Sequence, residues 1–206
     1  MTPASTLVAA WLVAIACGVI AVWPRRAGAR GCLVAGVVAV AVALACVPLR
    51  RWSLVGWLVA LAGAPSVSSL VLLIAVAWER LTGRAVLDAR AWRTAFRFLA
   101  LAAVSLYPMS LGLGRFDPYA LGWNNVWMLA ALWAVSVWLL LSGDRFGVVL
   151  LLAVLAFNVR LLESSNLWDY LIDPPLAAVA LLVVAAPLRR MRAQRPRPAP
   201  DERAAA

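Results

Sequence analysis

Two short stretches of this chain crowd carboxylate, amide, aromatic and guanidinium groups together, and chemistry is to be sought there first. The first, 105–125, carries Tyr107, Arg115, Asp117, Tyr119, Asn124 and Asn125. The second, 158–173, carries Asn158, Arg160, Glu163, Asn166, Trp168, Asp169, Tyr170 and Asp173. Asp117, Glu163, Asp169 or Asp173 could serve as a general base, or could hold a divalent cation against a phosphorylated head group. Arg115 or Arg160 could then grip phosphate through the planar guanidinium fork. Tyr107, Tyr119, Trp168, Tyr170 and the four asparagines offer the flat apolar area and adaptable hydrogen bonding from which a docking surface is built.

Each of these residues also has a plainer explanation. Asp117-Pro118 and Asp173-Pro174-Pro175 make turns and helix starts, and Asn158 and Arg160 suit the end of a helix. The Asp169/Asp173 spacing of i, i+4 is common by chance. No Gly-rich phosphate loop, nucleophile elbow or metal-ligand spacing occurs anywhere in the chain. The sequence contains no histidine, which removes the commonest general base and metal ligand. Histidine-ligated haem, histidine-rich di-iron sites and serine–histidine triads are therefore excluded, no metal is expected, and the cofactor is left unknown. Cys17, Cys32 and Cys46, with no CxxC pair, read as small apolar packing residues.

The elements that must position these stretches are oily. The chain is 65% hydrophobic with a mean hydropathy of +0.91, whereas an ordinary soluble domain is about half apolar. A membrane-crossing helix needs ~20 mostly apolar residues. Runs of that kind at 6–23, 31–49, 53–78, 98–114, 126–141, 146–162 and 174–190 predict an all-α, polytopic bundle of about seven spans. Six is the alternative, if the last and shortest run lies on the surface. Gly63-Ala64-Pro65-Ser66 should kink the third span. Segment 79–97, with five arginines, reads as an amphipathic cytoplasmic segment set against anionic head groups, and 189–206 as a disordered basic tail.

All 19 basic residues are arginine and the net charge is +10. Their position at the ends of apolar runs and in the tail argues for membrane topology and anionic-lipid contact, not for nucleic acid. An N-terminus outside and a cytoplasmic C-terminus put 15 arginines inside and 4 outside, with Arg50-Arg51 as the local conflict. Trp23, Trp52, Trp78, Trp123, Trp127 and Trp168 fall near span ends, as an interfacial belt would.

This reading places a multi-pass protein in a bacterial-type inner membrane, with both polar stretches on its outer face. The spans carry almost no ionisable residue at their centres, which speaks against an ion-coupled carrier. The leading functional expectation is engagement of a partner membrane protein or a lipid-linked substrate through loops 105–125 and 158–173, with membrane lipids as further partners. The enzymatic alternative is a transferase or hydrolase acting on a lipid-linked or phospholipid substrate with those carboxylates. A passive permease or transporter subunit is the third, although the only polar path would be Ser66, Ser68, Ser69, Ser105 and Ser136.

Overall fold

A computed structural model describes residues 3–22, 36, 38–40, 43, 48, 49, 52–123 and 125–193 of the chain. Eight helices are named here in chain order: α1 (Pro3–Val22), α2 (Leu54–Ala62), α3 (Val67–Thr82), α4 (Ala89–Ser110), α5 (Val126–Leu141), α6 (Phe146–Asn158), α7 (Trp168–Leu171) and α8 (Pro174–Ala193). A 3₁₀ turn, Pro118–Gly122, lies between α4 and α5. Two-residue strands Pro48–Leu49 and Trp52–Ser53 pair antiparallel ahead of α2.

Among the described residues no helix is long and apolar enough to cross a membrane. This overturns the expected bundle of seven (or six) spans, with its outside N-terminus and cytoplasmic C-terminus, and with it the multi-pass inner-membrane placement. The physical reasons can be named helix by helix. Run 53–78 is not one kinked rod: Gly63 turns left-handed at φ +67 and Ser66 starts a new helix, its side chain accepting the N–H of Ser69. Run 146–162 stops at Asn158, so α6 rises only ~20 Å, against the ~30 Å of a bilayer core. The 22-residue α4 carries Arg90, Arg93 and Arg97 in its first half.

Segment 79–97 also differs from expectation. Its start completes α3, which ends at a left-handed Gly83. Its end opens α4, where Asp88 caps the N–H of Ala91 at 2.9 Å. Ala91 and Ala95, at i, i+4, continue into Leu99, Ala103 and Leu106 as one buried stripe. Leu87, Ala91 and Ala95 of this stretch therefore face the core, while its five arginines stay exposed. The main core joins α3, α4, α6, α7 and α8, with Phe146, Leu150, Leu99 and Tyr170 fully buried. A smaller cluster of Trp11, Ala14 and Val55 ties α1 to α2, and Trp11 donates to the carbonyl of Gly63 at 2.8 Å.

At the α5–α6 turn, the buried Asp144 accepts the hydroxyl of Thr94 at 2.7 Å and the N–H of Phe146 at 3.0 Å, with Arg90 at 3.6 Å. One carboxylate thereby fastens this turn to the first turns of α4. Helix α5 is apolar all round yet buries only Leu132, Ser136 and Leu139. Trp127 and Leu141 are left 83% and 84% exposed. The belt tryptophans divide: Trp78, Trp123 and Trp127 are exposed and Trp168 is half-buried. Trp23, Cys32, Cys46, Arg50-Arg51 and the tail beyond 193 lie outside the described residues, as does the side chain of Trp52.

Candidate functional site

The two polar stretches meet. Trp123 and Asn166 form an isolated antiparallel bridge, and the N–H of Leu167 donates to the carbonyl of Gly122 at 3.0 Å. The side-chain amide of Asn166 donates to the carbonyl of Tyr119 at 3.0 Å, and the indole of Trp168 donates to the carbonyl of Pro118 at 2.9 Å. Gly122 makes this closeness possible. A Cβ there would sit 1.7 Å from Oδ1 of Asn166 and 2.8 Å from the ring of Trp168.

Within this junction the Asp169 carboxylate is held by hydroxyls. Tyr119 donates to it at 3.0 Å, and Ser164 donates through a short hydrogen bond. Burial, then the adjoining carboxylates of Asp169 and Asp117, push the Tyr119 phenol up to about 12, so it remains a proton donor at neutral pH. Tyr170 is fully buried, and its hydroxyl lies 3.0 Å from the carbonyl of Leu162 and 3.1 Å from that of Ser164 while accepting the N–H of Leu162 at 3.1 Å. It thus holds the 162–164 loop in shape. Tyr170→Phe would leave the half-buried N–H of Leu162 without its acceptor and should lower stability by about 1 kcal/mol, measured by denaturant unfolding.

Asp173 joins a third segment to the first two. Its two oxygens accept the N–H of Ser66 and of Leu176, each at 2.8 Å. One carboxylate therefore caps α8 and also receives the N–H of the residue that caps α3. It is 4% exposed and sits between two helix N-termini, where the backbone dipoles favour negative charge.

These contacts enclose a cleft of about 630 Å³, within the range of small-ligand pockets. Tyr107, Tyr119, Glu163, Asp169 and Asp173 line it, together with Ser110, Ser164 and the Gly63-Ala64 bend. Val59, Leu106, Leu162 and Ile172 form its apolar wall. Among the described residues no arginine lines it. Ser164 belongs to the second polar stretch, whereas the Gly63-Ala64 bend lies outside both stretches. The Gly-Ala-Pro-Ser break in an apolar run was the available signal for the latter.

The other candidates lie elsewhere. Asp117 caps the 3₁₀ turn by accepting the N–H of Tyr119 at 2.9 Å. Asn125 caps α5, accepting from Trp127 and Met128. Asn158 and Arg160 line a separate cleft of about 160 Å³ that shares Ser164 with the larger one. Arg160 adopts a left-handed φ of 53 and ends α6, its N–H on Phe157 and that of Leu161 on Ala156, the pattern of a Schellman cap. Arg115 is exposed and forms no ion pair with a described residue. Asn166, Trp168 and Tyr170 bond to backbone and hold the loops together. Asn124 lies outside the described residues. No group of three acidic or cysteine side chains among the described residues is placed to hold a metal ion.

The chain matches no family model, no curated protein and no solved structure.

Proposed function

We propose that the cleft binds the head group of a lipid-linked, amphiphilic ligand bearing amine or hydroxyl groups, with loops 105–125 and 158–173 acting as a binding surface. The observation that carries this reading is the chemistry of the lining: Glu163, Asp169 and Asp173 beside two phenols and two serine hydroxyls, an apolar wall, and no cationic side chain among the described residues. A phosphate in this cleft would face carboxylates with no counter-charge from a described residue, which Coulomb repulsion opposes. An ammonium or polyol would find acceptors on every polar side. The apolar wall suits a hydrocarbon tail. The exposed apolar face of α5 adds support, because patches of that kind mark contacts with lipid or protein.

Binding is favoured over catalysis by how the carboxylates are occupied. Asp117 and Asp173 accept backbone N–H groups, and Asp169 accepts two hydroxyls. Glu163 alone among the lining carboxylates bonds to no described residue, so a transferase or hydrolase reading would rest on it as base. The permease reading loses support from its serines: Ser66 caps α3, while Ser105 and Ser136 donate to carbonyls of their own helices.

Titration of the full chain with dodecylamine tests the proposal. The Glu163→Gln/Asp169→Asn double variant should bind about tenfold more weakly, since each carboxylate near a cation contributes up to ~1 kcal/mol. Unchanged affinity in the double variant would refute it, as would dodecyl phosphate competing with dodecylamine for the same cleft.

A further inference from the structure

We propose that the groove between α3 and α6, at the far end of α3 from the cleft, takes the acyl chain of an anionic lipid with Arg145 at its head group. The groove has a volume of about 500 Å³. Val71, Ile74 and Trp78 of α3 form one wall, Val148 and Leu152 of α6 the other, and Leu87 closes the end. Trp78 is 51% exposed and Ile74, Val148 and Leu152 exceed 40%. Hydrocarbon side chains therefore line an open channel, and among the described residues Arg145 is the one charged group on it. Residues Ser66 to Trp78 rise ~18 Å along α3, so this groove is distinct from the acidic cleft, and its charge is opposite.

Two observations select the occupant. The first is shape and polarity: an apolar channel whose walls offer only the indole N–H of Trp78 fits a hydrocarbon chain and gives an extended peptide backbone too few partners. The second is the charge at its mouth. Arg145 donates to the carbonyl of Val86 at 3.0 Å, which fixes the guanidinium beside the groove. A guanidinium has five N–H donors and no acceptor, and no other described group accepts from this one. Glu79 and Arg80 follow Trp78 at the end of α3 and exposed Arg84 lies in the loop after it, so this stretch adds one net positive charge to that of Arg145. The nearest acid of that loop, Asp88, is engaged in capping α4. An anionic head attached to an apolar tail satisfies both features at once, and each alone satisfies only one.

Three probes separate the chain from the charge: dodecyl phosphate, dodecanol and inorganic phosphate. Binding is read from the fluorescence of Trp78, taken as the difference between the full-length chain and its Trp78→Phe variant. Dodecyl phosphate should bind about fivefold more tightly than dodecanol, the worth of one partly exposed ion pair, and inorganic phosphate should produce no saturable change. Arg145→Gln should abolish the preference between the two dodecyl probes while both still bind. Leu152→Trp, at an exposed rim position, should fill the channel and weaken both about tenfold. Should that variant not fold, Arg145→Gln decides the matter alone. Equal affinity of the two dodecyl probes for the unaltered chain overturns the proposal, as does saturable binding of inorganic phosphate with comparable affinity, or undiminished binding by folded Leu152→Trp.

Discussion

Asp173→Ala should lower the unfolding free energy by about 3 kcal/mol, because one carboxylate serves two helix starts. Loss of a helix cap costs ~1 kcal/mol, and a buried N–H left without an acceptor costs a further ~1–3 kcal/mol. Both N–H groups concerned, those of Ser66 and Leu176, belong to buried residues. For a chain of this length the loss corresponds to a fall in Tm of roughly 6–12 °C. Asp173→Asn retains one carbonyl oxygen and one of the two bonds, so it should lose about half as much. Thermal unfolding of the two variants side by side checks this. Equal stability of Asp173→Ala and the unaltered chain would show that the α3–α8 junction does not depend on the carboxylate.

Gly122→Ala should be comparably harmful for a different reason. The added methyl would meet Oδ1 and Cγ of Asn166 at 1.7 and 2.7 Å, atoms that cannot retreat without giving up the bond to Tyr119 or the one from the N–H of Trp168. Overpacking of this kind costs ~1–3 kcal/mol. Here it also pries apart the two loops that shape the cleft, so affinity for dodecylamine should fall together with stability. Adding Asn166→Ala removes the obstructing atoms, and the double variant should lose less than the sum of the single losses. A double-mutant cycle measures that coupling. Strict additivity would mean that the clash lies elsewhere.

Several local features could be read from neighbouring residues because their physics is confined to a few positions. The run 126–141 coincides with α5, and Asn125 before it is a cap whose amide oxygen reaches the free N–H groups of the first turn. The starts at Phe146 and Pro174 also coincide, as does the turn at Asp117-Pro118. The error came from treating apolar length as helix length. Hydropathy records how much a stretch avoids water, but not where its backbone hydrogen bonds stop. Gly63 breaks run 53–78, and the left-handed Arg160 closes a helix inside what looked like a longer run. Segment 79–97 is divided in the same way, at Gly83, between the end of α3 and the loop that leads into α4.

The cleft was legible only in part. Tyr107, Tyr119, Glu163, Asp169 and Asp173 were all candidates by residue type, and the structure brings these five to one cleft while placing Arg115, Asp117, Asn125 and Asn158 outside it. Nothing local distinguishes the two sets. Asp117 and Asp173 both precede proline, yet one caps a short turn at the surface and the other is buried between two helices.

Composition, capping residues and breaks thus settled that the chain is helical, where several of its helices begin, and which stretches carry polar groups. Packing alone settled which groups meet, because the decisive contacts join residues far apart: Tyr119 with Asp169, 50 positions on, and Ser66 with Asp173, 107 positions on. A cap is selected by the energetics of one helical turn. A contact across such a separation exists only once the intervening helices have buried their apolar faces against one another, and that arrangement is a property of the whole chain.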